Sequence, residues 1–263
     1  MLVQVEKEGL ILLSAPDLEE SAGVVVAFTD RRGGSSAGPC QGLNLSYNVG
    51  DSRASVAANR EEVARAIDVP VTRWVLGMQV HGRAVAQVSG ADAGRGGADH
   101  VAGIPRTDAL LTRTPGVALA VLTADCVPLI LVAPDAPAVA VVHAGWRGTL
   151  AGIAAAGAKA LARCAGCEPP GVLVFIGPHI GPCCMEVGSD IASRFASEFG
   201  SEAVSGRNLD LAEACAAQMA AVGVSRSNMF GGDKCTRCSD DYFSHRRDER
   251  CGRQGAFVAI KGD

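Results

Sequence analysis

Runs of Lys or Arg are missing from this 263-residue chain, whose formal net charge is −4 and whose pI is about 5.8. The composition therefore predicts no nucleic-acid surface. No segment is apolar for long enough to cross a membrane, since the run near 117–132 is broken by Asp125. The opening MLVQVEKEGLILL places Glu6 and Glu8 ahead of a very short apolar stretch, which is unlike an export signal. Also absent are GxGxxG, GxxxxGK[ST], HExxH and HxE followed by PCxxC, so the motifs for dinucleotide binding, P-loop chemistry, zinc peptidases and cytidine-deaminase-type zinc sites are missing. Histidine is scarce, and its five scattered copies contain no His-x-His, which argues against a trinuclear copper cluster.

Cysteine, by contrast, is plentiful, at ten residues. Without an export signal these are expected to be reduced thiols in a cytoplasm, serving packing, metal binding or catalysis. With 48% apolar residues the chain can bury a full core, and one domain over residues 1–263 is expected. Its centre is VLTADCVPLILVAPDAPAVAVVHAGWRGTL, residues 121–150. The runs 127–132 and 138–142, separated by a turn-forming APDAP, predict neighbouring buried strands. If they pair as a hairpin, Cys126 at the start of one lies beside His143 at the end of the other. A thiol and an imidazole would then share one sheet edge.

Elsewhere, residues 24–29 predict a strand leading into a Gly/Ser-rich loop. GSSAG in that loop resembles a nucleophile elbow around Ser36, but the helix that device needs is replaced by Pro39 and Gly42. SVAANREEVARAIDVP predicts a helix from Ser55 that Pro70 stops, with Arg60 inside its apolar stripe. An inward Arg needs either a buried carboxylate or an anionic ligand. Residues 74–80 and 83–88 predict two strands joined around His81, and His100 in the following Gly-rich loop reads as a surface residue. Segments 108–112, 117–123, 172–176 and 257–260 also predict strands. After His143 the small-residue segment GTLAGIAAAGAKALARCAG predicts a helix packed closely on the sheet. Further helices are expected over 189–199 and 210–222, the latter with an Asp210–Glu213 capping box.

Thiolate plus imidazole is the ligand set zinc prefers. His81, Cys126 and His143 would supply three ligands and leave a fourth position open, as in catalytic sites. The spacing alone is a weak signal and leaves open a packed cysteine and two ordinary histidines. Cys164-Cys167 and Cys235-Cys238 form CxxC pairs too far apart for a zinc ribbon, and adjacent Cys183-Cys184 is too short for an ordinary bridge. These read as structural or incidental.

Taken together, the motifs TDRRGGSSAGP, GLNLS, VGD with NR at 59–60, MQVHG, DALLT, LTADCVPL, VVHAGWRGT, IGPHIGPCCMEVG, and CTRC with FSHRRD and GRQGAFV resemble the YfiH-type family. That family is variously labelled multicopper polyphenol oxidase (laccase-like), peptidoglycan editing factor and purine nucleoside phosphorylase. The resemblance implies an α/β fold of mixed sheets with flanking helices in one cysteine-hydrolase-related sandwich. It implies zinc on His81, Cys126 and His143, with copper as a substitute. It implies phosphorolysis of adenosine, inosine, guanosine and methylthioadenosine, and deamination of adenosine. On this reading Arg60 and Arg147 hold phosphate, Asn44 contacts sugar or base, and Asp125 orients a ligand or acts as a base. His179, Met185 and Cys251 depart from the family pattern and bear on substrate detail. Three rivals remain: a Cys126–His143 thiol hydrolase acting on cell-wall precursors, a copper-dependent polyphenol oxidase, and a non-enzymatic partner protein with a closed zinc site.

Overall fold

Strands that are apolar on both faces require cover on both sides, and this chain supplies it with four layers. The computed structural model describes residues 1–262. Strands are β1 (Val3–Lys7), β2 (Leu10–Ser14), β3 (Val24–Thr29), β4 (Trp74–Leu76), β5 (Val85–Gln87), β6 (Ala109–Thr112), β7 (Ala118–Thr123), β8 (Val127–Ala133), β9 (Ala138–Ala144), β10 (Leu173–Ile176), β11 (Val204–Ser205), β12 (Asn208–Leu209), β13 (Met229–Gly231) and β14 (Gln254–Ile260). Helices are α1 (Pro16–Ala22), α2 (Arg53–Ile67), α3 (Trp146–Leu150), α4 (Ile153–Ala165), α5 (Ser189–Phe199), α6 (Leu211–Ala221) and α7 (His245–Asp248). One sheet has the order β1-β2-β3-β14-β7-β4 and the other β13-β10-β8-β9-β6-β5, each mixing parallel and antiparallel pairs. The α/β sandwich of mixed sheets and flanking helices is therefore present.

Alternation along the central strands sets the layers. In β8, Leu129 and Leu131 face α4 and α6, whereas Ile130 and Val132 pack between the sheets against Val26, Val121 and Val258. In β9, Ala138, Ala140 and Val142 face the helices while Val139 and Val141 face the first sheet. His143 continues that inter-sheet face to the end of the strand. The other side of the first sheet is covered by α2 through Val63 and Ile67 against Val25, Trp74 and Phe257. Among the described residues no helix is long and apolar enough to cross a membrane.

Three expectations change. The segments flanking His81 do not pair with each other: β4 runs parallel to β7 in the first sheet and β5 parallel to β6 in the second. Three residues each are too few to hold a hairpin alone, and the Gln79 side chain instead bridges the N–H and C=O of Leu122, both at 2.9 Å. The small-residue helix is two pieces, because Gly152 takes a left-handed φ of 87° between α3 and α4. Helix α2 starts at Arg53, two residues early, since the Ser52 hydroxyl caps it by accepting from the Ser55 N–H.

Candidate metal centre and active site

The central hairpin forms with Val127 opposite Ala144 and Pro128 opposite His143, so Cys126 lies beside the end of β9. Cys126 sits where the chain crosses from the first sheet to the second, between β7 and β8, and His81 sits in another such crossing, between β4 and β5. Both crossings lie at the same end of the sandwich. The ligand atoms of His81, Cys126 and His143 all fall within 4.8 Å of one another. Cys126 Sγ is 3.7 Å from His81 Nε2, and the two imidazoles meet edge to face with centroids 4.7 Å apart.

Asp108 organises both histidines. It lies one residue before β6 on the same face as His143, and its Oδ1 accepts from His143 Nδ1 at 2.8 Å. The same carboxylate accepts the backbone N–H groups of Val80, His81 and Gly82 at 2.8–3.2 Å. Burial works against the Asp108 charge, yet the bond from His143 and the amide donors hold its pKa below the ordinary value. This pairing turns His143 Nε2 toward Cys126 and pins the loop on which His81 takes a left-handed φ of 59°. Asp108 was visible in the sequence only as the first residue of DALLT. Close approach also depends on Gly145: a Cβ there would stand 2.6 Å from the His81 ring and 3.0 Å from Cys126 Sγ.

Without an ion, burial disfavours the Cys126 thiolate, but His143 and His81 outweigh it and bring the thiol down to about 6. Burial likewise disfavours the His143 imidazolium, which the Cys126 sulfur and Asp108 raise to about 9. The donor set fits one tetrahedral ion: bonds of about 2.0–2.3 Å separate ligand atoms by about 3.5 Å, close to the 3.7 Å between sulfur and Nε2. No fourth His, Cys, Asp or Glu joins this group among the described residues.

The trio opens into a cavity of about 600 Å³ that Arg147, Arg246 and Arg253 line, a size usual for small-molecule sites. None of the three guanidinium groups has a carboxylate partner within 4.0 Å among the described residues. Arg147 stacks on Trp146 at 4.4 Å. Arg246 and Arg253 donate to backbone carbonyls of Glu186 and Cys251. Leu122, Ile180 and Met185 provide apolar wall, and His100 lines the cavity too, contrary to its reading as a surface residue.

Arg60 and Asn44 do not line this cavity. Arg60 is only 2% exposed and satisfies itself without any anion, donating to the carbonyls of Leu45, Gly96 and Gly97 and lying over the Tyr47 ring. Asn44 is fully buried and holds neighbouring chain: its amide donates to Asp51 and Ser46, and its oxygen accepts from the N–H groups of Ser46 and Arg253. The inward stripe correctly buried Arg60, but backbone acceptors, invisible to helical periodicity, took the place of the anion. Asp125 does line the cavity. Both of its oxygens are engaged, accepting from Thr236 Oγ1 and the Arg246 N–H at 2.7 Å each. Ser36 lies away from the cavity, accepting from Asn59. His179 is buried with Nδ1 2.9 Å from the Gly177 carbonyl, apart from the trio.

A family model described as multi-copper polyphenol oxidoreductase laccase matches residues 25–261. The purine nucleoside phosphorylase YlmD of Geobacillus stearothermophilus is 38% identical over 267 residues, covering 98% of this chain and 96% of that protein. The purine nucleoside phosphorylase YfiH of Escherichia coli K12 is 32% identical over 257 residues, covering 94% and 98%. The crystal structure of YlmD from G. stearothermophilus matches with a TM-score of 0.91 at 37% identity over 99% of each chain. That of the Bacillus licheniformis hypothetical protein YfiH matches with a TM-score of 0.89 at 30% identity over 96% of each. Matched over nearly its whole length in both sequence and fold, this chain belongs to the YfiH/YlmD family.

Proposed function

We propose that the chain is a single cytoplasmic catalytic unit, a zinc-dependent purine nucleoside phosphorylase that accepts adenosine, inosine, guanosine and methylthioadenosine and also deaminates adenosine. The observation that carries this reading is the meeting of a two-imidazole, one-thiolate donor set with three arginines whose guanidinium groups are unpaired with carboxylates, in one cavity. The names of the relatives supply the substrate class. His81, Cys126 and His143 hold the zinc, and copper can occupy the same nitrogen and sulfur donors. When bound there, the ion would supply Lewis acidity to groups beside it. Asp108 keeps His143 Nε2 aimed at that ion and holds the His81 loop. Phosphorolysis joins a phosphate oxygen to the ribose anomeric carbon as the bond to the purine nitrogen breaks. Arg147, with Arg246 and Arg253, holds the phosphate facing the positive charge that develops on the sugar. Asn44 acts by positioning Arg253, and Asp125 by fixing the Thr236 and Arg246 segments at the cavity wall. Deamination exchanges the 6-amino group for the oxygen of water and releases ammonia.

A second reading has one specific observation in its favour. Cys126, His143 and Asp108 also have the order of a thiol nucleophile, its base and an orienting carboxylate. Alkylation separates the two readings, because a zinc-bound thiolate resists iodoacetamide whereas a nucleophilic one is modified within minutes and needs no metal. The direct test is chromatography of products from adenosine with and without phosphate. Free adenine is expected only with phosphate and inosine in both mixtures. His81→Ala and Cys126→Ser should each lose zinc from this site and both activities; full turnover in either variant overturns the assignment.

A further inference from the structure

Four cysteines that the catalytic reading does not use converge elsewhere. Cys183 and Cys184 follow β10, Cys235 and Cys238 follow β13, and their sulfurs all lie within 4.8 Å of one another. The Cys238 sulfur is 3.7 Å from that of Cys183 and 3.4 Å from that of Cys184. Four sulfurs bound at about 2.3 Å around a tetrahedral zinc stand about 3.8 Å apart. The two measured edges match that spacing to within a few tenths of an ångström, and no sulfur pair is at bonding distance.

The backbone presents these thiols as ligands. The two segments are zipped together by a parallel bridge between His179 and Cys235, with the His179 N–H on the Lys234 carbonyl at 3.1 Å and the Thr236 N–H on the His179 carbonyl at 2.8 Å. The Gly181 N–H points at Cys235 Sγ at 3.2 Å, a donor that favours a thiolate. A tight turn, with the Cys184 N–H on the Gly181 carbonyl, brings the vicinal pair round to the same point. Packing does not explain the cluster: Cys183 and Cys238 are exposed, whereas cysteines used as small apolar residues are buried. Arg237 lies against the Cys184 sulfur and offsets negative charge there.

We propose that Cys183, Cys184, Cys235 and Cys238 form a second, closed metal site in which four thiolates hold one zinc ion and fasten the segment after β10 to the segment after β13. Each thiol gives its proton to solvent as it binds, and with four protein ligands no position is left for water, so this site is structural. Its place gives it a purpose. The segment it fastens on one side carries Ile180 and Met185 of the cavity wall, and on the other Thr236, whose hydroxyl holds Asp125 beside Cys126. Cys164 and Cys167, at the end of α4, take no part.

The test is metal counting on the full-length protein, purified under reducing conditions, loaded with zinc and desalted. Two zinc ions per chain are expected for the wild type and one for Cys126→Ser. In that Cys126→Ser protein, cobalt in place of zinc should give the intense charge-transfer absorption of a four-sulfur site, and the four thiols should react slowly with a disulfide reagent until a chelator is added. The double variant Cys235→Ser/Cys238→Ser should keep one zinc, at the His-Cys-His site. One zinc per wild-type chain that vanishes in Cys126→Ser overturns the proposal, as does rapid reaction of all four thiols or a mass showing two disulfides in their place. Counts on the wild type and Cys126→Ser decide the matter even if the double variant does not fold. Failure of the phosphorylase reading would show separately, as two bound zinc ions with no turnover of nucleosides.

Discussion

His143 gives one nitrogen to Asp108 and turns the other toward Cys126, so on the proposed zinc reading its protonation state governs loading of the trio. In the metal-free protein Cys126 has lost its proton above about 6, while His143 keeps one up to about 9. Between these values an incoming ion displaces about one proton, that of His143, so apparent affinity should rise about tenfold per pH unit and level off above pH 9. Below pH 6 the thiol must also be deprotonated, and the dependence should steepen. Calorimetry of zinc loading midway between the two values, in buffers of different ionisation enthalpy, should show this proton as the difference between wild type and Cys126→Ser. A difference containing no proton would mean that His143 is already neutral. At this scale the reactive atoms were legible in the sequence, since a thiol before one apolar run and an imidazole closing the next must meet if the runs pair. Asp108 was not, because a carboxylate preceding a buried strand acquires its meaning only from the strand it pairs with.

Helix α2 shows what an element-level pattern can and cannot say. Its stripe places Arg60 inward, yet the partners are carbonyls of two loops, at Leu45 and at Gly96–Gly97. Removing the side chain orphans these buried acceptors, so Arg60→Ala should destabilise the protein by about 2–4 kcal/mol while leaving the KM for phosphate unchanged. Arg147→Ala should do the reverse: little change in thermal stability, and a KM for phosphate raised about ten- to a hundredfold, the loss of one charge-assisted contact of roughly 1.5–3 kcal/mol. Steady-state kinetics beside urea unfolding checks both, and a phosphate defect in Arg60→Ala would return that residue to the site. The strands expected over 127–132 and 138–142, which form as 127–133 and 138–144, and helix 189–199 followed from local apolar patterning. The pairing of β4 and β5 did not, because strands of three residues contain too little pattern to choose a partner and each was drawn to a different sheet.

Across the whole molecule, both sheets share one buried layer, and Ile130 lies fully buried within it. Ile130→Ala should cost about 2–5 kcal/mol through the cavity it leaves, with the metal count unchanged, since the trio sits at the end of the sandwich, where Asp108 holds His143 and the His81 crossing. Urea midpoints and metal analysis check this, and loss of metal in a folded Ile130→Ala protein would show that the layer sets the site's geometry. The amino-acid order by itself determined the central hairpin, because apolar alternation is local, and through its ordered motifs it determined the family, whose resemblance carried the expectation of a mixed α/β sandwich and of His81, Cys126 and His143 as candidate metal ligands. Only the tertiary structure decided which arginines face the cavity, that Arg60 and Asn44 serve the framework, and that Cys183-Cys184 meets Cys235-Cys238 while Cys164-Cys167 stays apart. Those outcomes depend on where the chain crosses between the sheets, and crossings are fixed by contacts between segments dozens of residues apart, which no local pattern encodes.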